Sequence, residues 1–139
     1  MKNIGFVITA LSLVIIAYSD FKRKLIYNLS LVSLIAGLGI FLPSANWVVS
    51  TVQILVTGLS LILINSLLEK KSKTKIQAGD LKLILVLAWF FTIQNLLIIM
   101  LISSTAGLSL SLRLKQIPLG GLLALTSIAI ICVKLSIIW

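Results

Sequence analysis

Residues 46–68 read NWVVSTVQILVTGLSLILINSLL, an apolar run without a single Asp, Glu, Lys or Arg. A helix of about 20 predominantly apolar residues crosses the hydrocarbon core of a bilayer, and this run is one of six. The others cover roughly 4–19, 27–42, 81–91, 95–112 and 118–138, with only short polar stretches between them. The 81–91 segment is about half the length needed to span alone. It stands as a separate short helix if TIQN (Thr92–Asn95) is a tight turn; otherwise it merges with the next segment into one long tilted or broken helix. Composition agrees: 60% hydrophobic residues, 11% charged and a mean hydropathy of +1.21 describe a chain whose solvent is mostly lipid. The expectation is an all-α polytopic membrane protein of about six transmembrane helices, the fourth short, forming one domain over 1–139.

Charge placement tests the count, because cytoplasmic loops carry an excess of Lys and Arg. The stretches DFKRK (20–24), EKKSKTKIQAGD (69–80) and RLKQ (113–116) are basic, whereas PSAN (43–46) and TIQN carry no charge. Counting Lys82, these three stretches hold ten of the twelve cations, leaving Lys2 and Lys134 near the opposite side. Six spans put the basic loops in the cytoplasm and both termini outside. The net charge of +9 is then explained by topology and by an anionic inner leaflet. Nothing in the sequence resembles a nucleic-acid-binding surface. The first segment lacks an A-x-A site and runs straight into Asp20 and the basic cluster, unlike a cleaved signal peptide.

With no His and one cysteine, Cys132, the chain has no means to build a His- or Cys-based zinc site, a Ser-His or Cys-His nucleophile pair, or a disulfide within the chain. Cys132 reads as a small buried apolar residue. The acids are Asp20, Glu69 and Asp80, each at a basic-side helix end. Two aspartates suffice for one reaction that needs no metal and no cofactor. Sharing a site, they hold one proton between them; the ionised one deprotonates water while the protonated one hydrogen-bonds the scissile carbonyl. Asp20 and Asp80 meet only if helices one and four pack side by side. Each residue also has a plainer reading. Asp80 suits an N-cap, as does Asn28; Lys22 and Lys82 suit snorkelling cations; Pro118 suits the first turn of helix six. Ser103, Gly107 and Ser111, four apart, make a small-residue stripe for helix packing.

GDLKL (79–83) resembles the GxGDxKL motif of the type IV prepilin peptidase family, membrane aspartic proteases that share the GxGD signature with presenilin-like enzymes. DFKRKLIYN (20–28) is similar to that family's first aspartate segment, and IPLGGLLAL (117–125) to its C-terminal Pro-x-Gly-Pro segment. The chain departs from these patterns at Gln77 (first Gly of GxGD), Tyr27 (Pro before Asn28) and Gly121 (second Pro). Gly79, beside the aspartate, is retained, where a missing side chain permits close backbone approach or a positive φ. The resemblance implies catalytic Asp20 and Asp80, with Gly79, Lys82, Asn28, Lys22, Pro118 and Gly120 shaping the site or contacting substrate. It further implies a multi-pass protein of a prokaryotic plasma membrane that cuts a short basic leader from prepilins or pseudopilins at the cytoplasmic face. Similarity to compact Tad-type or preflagellin-peptidase members, without the N-terminal cytoplasmic region of bifunctional ones, implies cleavage without N-methylation. Two other readings use the same residues: a proton- or cation-coupled transporter or channel subunit, and a non-catalytic assembly subunit.

Overall fold

The computed structural model describes residues 2–42, 47–72, 77–111 and 119–138. They form six α-helices: α1 (Lys2–Arg23), α2 (Asn28–Phe41), α3 (Trp47–Ser72), α4 (Ala78–Phe90), α5 (Ile93–Ser111) and α6 (Leu119–Ile138). The expected all-helical architecture is the one observed, and it is consistent with a polytopic membrane protein. α1 over Asn3–Arg23 and α3 over Trp47–Ser66 are long and apolar enough to cross a membrane, and shorter apolar helices occupy Asn28–Phe41, Ile93–Gly107 and Leu119–Val133. α3 exposes Leu59, Ile62 and Leu63 at 63%, 67% and 65%. A face of that kind is at equilibrium in lipid, not in water.

Helix boundaries follow local chemistry. α1 runs past its apolar stretch to take in Asp20, with Lys22 and Arg23 in its last turn, where cations complement the helix dipole. It stops at Lys24, in the left-handed region at φ 53°, whose N–H returns to the Asp20 carbonyl (3.0 Å). This is a C-terminal cap of the αL kind. α4 and α5 are separate helices, broken at Phe91 and Thr92. Phe91 is extended (φ −98°, ψ 146°), and Gln53 of α3 donates its side-chain N–H to the Phe91 carbonyl (2.9 Å). The break thereby finds a partner for a carbonyl that neither helix satisfies, a requirement wherever water is scarce. At 13 residues, α4 is about 20 Å long, shorter than the hydrocarbon core, as the sequence suggested.

Pairings between helices fix their directions. Thr9 faces Gly37 while Gly5 faces Ile40 and Phe41, and Ser12 shares a hydrogen bond with Ser33 (2.8 Å), so α1 and α2 are antiparallel. Gly58 packs on Leu85 as Gln53 meets Phe91, so α3 and α4 are antiparallel too. Phe6 lies near Ile131 and Ala17 near Gly121, which makes α6 antiparallel to α1. The C-terminus of α1 and the N-termini of α2, α4 and α6 therefore gather at one end. Leu13, Ile16, Leu34, Leu83, Leu87 and Leu123, all buried, form the core between these helices. Ser103 of the small-residue stripe is buried and pairs with Thr126 of α6 (2.9 Å), and Gly107 is buried.

α1 and α2 approach each other closely at Gly5 and Gly37. A Cβ on Gly37 would lie 2.8 Å from the Thr9 backbone nitrogen and 2.7 Å from its Oγ1, whereas one on Gly39 would meet nothing within 4 Å. Gly37→Val should destabilise the protein by ~1–3 kcal/mol through overpacking against an immovable backbone. Gly39→Val should cost no more than a few tenths of that range. Thermal unfolding of the two variants in one detergent checks this, and equal midpoints would contradict the close helix contact.

Candidate active site

Asp20 projects from the last turn of α1 and is 1% exposed; Asp80 belongs to the first turn of α4 and is 4% exposed. Their meeting place is the start of α6. The N–H of Gly121, third residue of that helix, donates to Asp20 Oδ2 at 2.7 Å. The first N–H groups of a helix have no partner within it, and here one of them is satisfied by a carboxylate from another helix, near the positive end of the dipole. One residue earlier, a Cβ on Gly120 would lie 2.6 Å from Asp80 Oδ1. Consecutive glycines thus carry one aspartate each. The two carboxylates are close enough for their charges to act on one another, and the Lys24 ammonium acts on Asp80 as well.

The two acids are held differently. Asp20 has an oxygen committed to a backbone donor. Asp80 has the Gly120 backbone N–H close enough to act on its carboxylate, but its Oδ1 is buried and makes no hydrogen bond of good geometry among the described residues, a state that costs about 1–3 kcal/mol for a neutral polar group and more for a charged one. Such an atom is expected where a proton or a substrate atom attaches.

Several sequence expectations need correcting at this end of the bundle. Asp80 is not an N-cap: Gln77 takes that position at φ −66°, ψ 142°, an extended conformation open to any residue. This is why a non-glycine stands there without strain. Asn28 is not an N-cap either, since Tyr27 precedes α2 in extended conformation with no side-chain cap. Asn28 Oδ1 instead accepts from Lys82 Nζ (3.1 Å), tying the first residue of α2 to the second turn of α4 at the surface. Lys22 donates to the Tyr18 hydroxyl (3.0 Å), with its ammonium 5.4 Å from that ring's centre. Gly79 is helical and not at positive φ. Its need is space, for a Cβ there would lie 3.1 Å from Ile26 Cβ. Cys132 is exposed, not buried. Pro118 lies outside the described residues.

Two residues of the site were not among those singled out. Ile26, in the linker between α1 and α2, packs against both Gly79 and Gly120. Gly121, a departure from the Pro-x-Gly-Pro pattern, gives Asp20 its donor, since proline has no N–H. Two glycines opening a helix, against their poor helix propensity, were the available signal.

Neither curated proteins nor solved structures give a match to this chain. A family model does match, over residues 7–112, a span that holds both aspartates, Asn28 and Lys82. That span is most of the chain, and with it the chain belongs to the type IV leader peptidase family, the aspartic prepilin peptidases.

Proposed function

We propose that Asp20 and Asp80 are the catalytic dyad of a single six-helix membrane peptidase domain that removes the leader of prepilin-like proteins at the cytoplasmic face. Family membership implies prepilin leader cleavage. The observation that carries the residue assignment is the glycine pair of α6, with Asp20 Oδ2 on the Gly121 N–H and Asp80 Oδ1 against Gly120. The transporter reading favours carboxylates near mid-membrane, whereas these two occupy the last turn of α1 and the first turn of α4.

In the proposed reaction, Asp20 is the carboxylate that receives a proton from water. Its Oδ2 is fixed by Gly121, which orients the other oxygen. Asp80 carries the shared proton at Oδ1 and gives it to the carbonyl oxygen as the water oxygen bonds to carbon. Collapse of the tetrahedral species breaks the C–N bond, with Asp20 returning its proton to the leaving nitrogen and Asp80 recovering its own. The products are a leader with a free carboxylate and a mature chain with a free amine. No metal or cofactor takes part. Lys82 and Asn28 support the geometry by joining α4 to α2 at the mouth of the site, and Lys22, Arg23 and Lys82 at this end face the anionic inner leaflet.

Asp20→Asn and Asp80→Asn should each lower leader cleavage by at least about a hundredfold, within the range set by loss of general acid–base catalysis. Membrane insertion should be unchanged. Initial rates on one prepilin substrate at matched folded enzyme decide the matter, and near-normal cleavage by either variant would contradict the dyad.

Orientation is tested by thiol labelling in a Cys132→Ser background. A cysteine replacing Ser72 should react with an impermeant reagent only from the cytoplasmic side, and one replacing Ser44 only from outside. The opposite pattern would place the site on the wrong face for this substrate.

A further inference from the structure

The dyad is closed in this structure, with Asp20 and Asp80 almost wholly buried, so a peptide bond reaches Asp80 Oδ1 only if something yields. Among the described residues, two glycines and one side chain meet beside it: Gly79 in α4 and Gly120 in α6, which have no side chain to move, and Ile26. A Cβ on Gly120 would find Ile26 Cδ1 at 2.5 Å and Asp80 Oδ1 at 2.6 Å, so the isoleucine methyl and the unpartnered carboxylate oxygen border the same point. A Cβ on Gly79 would find Ile26 Cβ, Cγ1 and Cδ1 at 3.1, 3.3 and 3.5 Å. One side chain therefore fills the notch that two glycines leave beside the reacting acid.

Ile26 is also placed to move. It stands outside any helix, in the linker between α1 and α2, and is only half-buried. Its linker begins at Lys24, held in the left-handed region (φ 53°), which non-glycine residues adopt at a cost. Rotation of Ile26 about its side-chain bonds opens the notch without breaking a helical hydrogen bond. Moving either glycine does not.

From this arrangement we infer that Ile26 is the specificity-determining wall of the site, its bulk setting how large a side chain beside the scissile bond is admitted to Asp80. The inference rests on the peptidase reading above. The occupant is the substrate backbone with its flanking side chains, and the room left for them is what remains of the Gly79–Gly120 notch after Ile26 turns aside.

The test is a matrix of kcat/KM values. Enzymes are wild type, Ile26→Val, Ile26→Ala and Ile26→Phe, with Asp80→Asn as the inactive control. Substrates are one prepilin-type protein with a short basic leader and a hydrophobic helix, and two versions carrying Leu immediately before or immediately after the cut. Ile26→Ala should raise the ratio of Leu-substrate to parent cleavage by at least about tenfold for one of the two positions, the scale set by a methylene or two of pocket volume. Ile26→Val should move the same ratio in the same direction by less. Ile26→Phe should depress cleavage of the Leu version more than that of the parent. Ratios within twofold of wild type in both smaller variants, with rates falling in parallel on all substrates, would show Ile26 to be packing alone and overturn the inference. Wild-type enzyme that leaves the parent substrate uncut would remove the peptidase reading itself, and the inference with it.

Discussion

One hydrogen bond organises the functional end of this molecule: the Gly121 N–H to Asp20 Oδ2, at 2.7 Å. It joins the last turn of α1 to the first turn of α6 across a sequence separation of about a hundred residues. An unpartnered helix N–H and a buried carboxylate are each costly in an apolar setting, and each resolves the other. With α6 fixed in this way, Gly120, the preceding residue, lies beside Asp80. The sequence made side-by-side packing of α1 and α4 the condition for the two aspartates to meet, and the structure corrects this: α6 packs against both helices and brings the acids together without it.

Glycine does the spatial work throughout. Between α1 and α2, Gly5 and Gly37 bring the backbones so close that a methyl at either position would meet main-chain nitrogen at 2.8 Å. At the site, Gly79 and Gly120 make room for Ile26 and for the Asp80 carboxylate. Lipid offers apolar side chains no reason to leave it, so helices in a membrane associate through close packing and buried polar pairs. Ser12 with Ser33, and Ser103 with Thr126, are pairs of that kind.

Much of this was legible in the sequence. Apolar runs and alternating basic loops specify six helices, because span length and charge asymmetry are set by the bilayer and not by tertiary detail. The break between α4 and α5 was open from sequence, since its resolution depends on Gln53, a distant residue that caps the Phe91 carbonyl. The aspartates were readable as a pair because the chain has only three acids and because DFKRKLIYN and GDLKL resemble the family's two aspartate segments. The contact between Asn28 and Lys82 was not. Each has a plain local reading, as cap or as snorkelling cation, and the bond between them exists only once α2 and α4 lie parallel. Ile26 matches the Ile of the family's Ile-Pro-Asn context, but its contacts were not legible, since they come from the two glycines it touches.

The central claim is that the start of α6 shapes the space around Asp80. Its most direct measurement is the initial rate of leader cleavage by Gly120→Ala beside Gly58→Ala, at matched amounts of folded enzyme. A Cβ at 120 would intrude to 2.6 Å on Asp80 Oδ1, while one at 58 would make an ordinary 3.6 Å contact with Leu85. The account predicts that Gly120→Ala loses at least about tenfold in rate, equivalent to ~1.4 kcal/mol of transition-state stabilisation, and that Gly58→Ala stays near wild type. Equal rates for Gly120→Ala and wild type would contradict it.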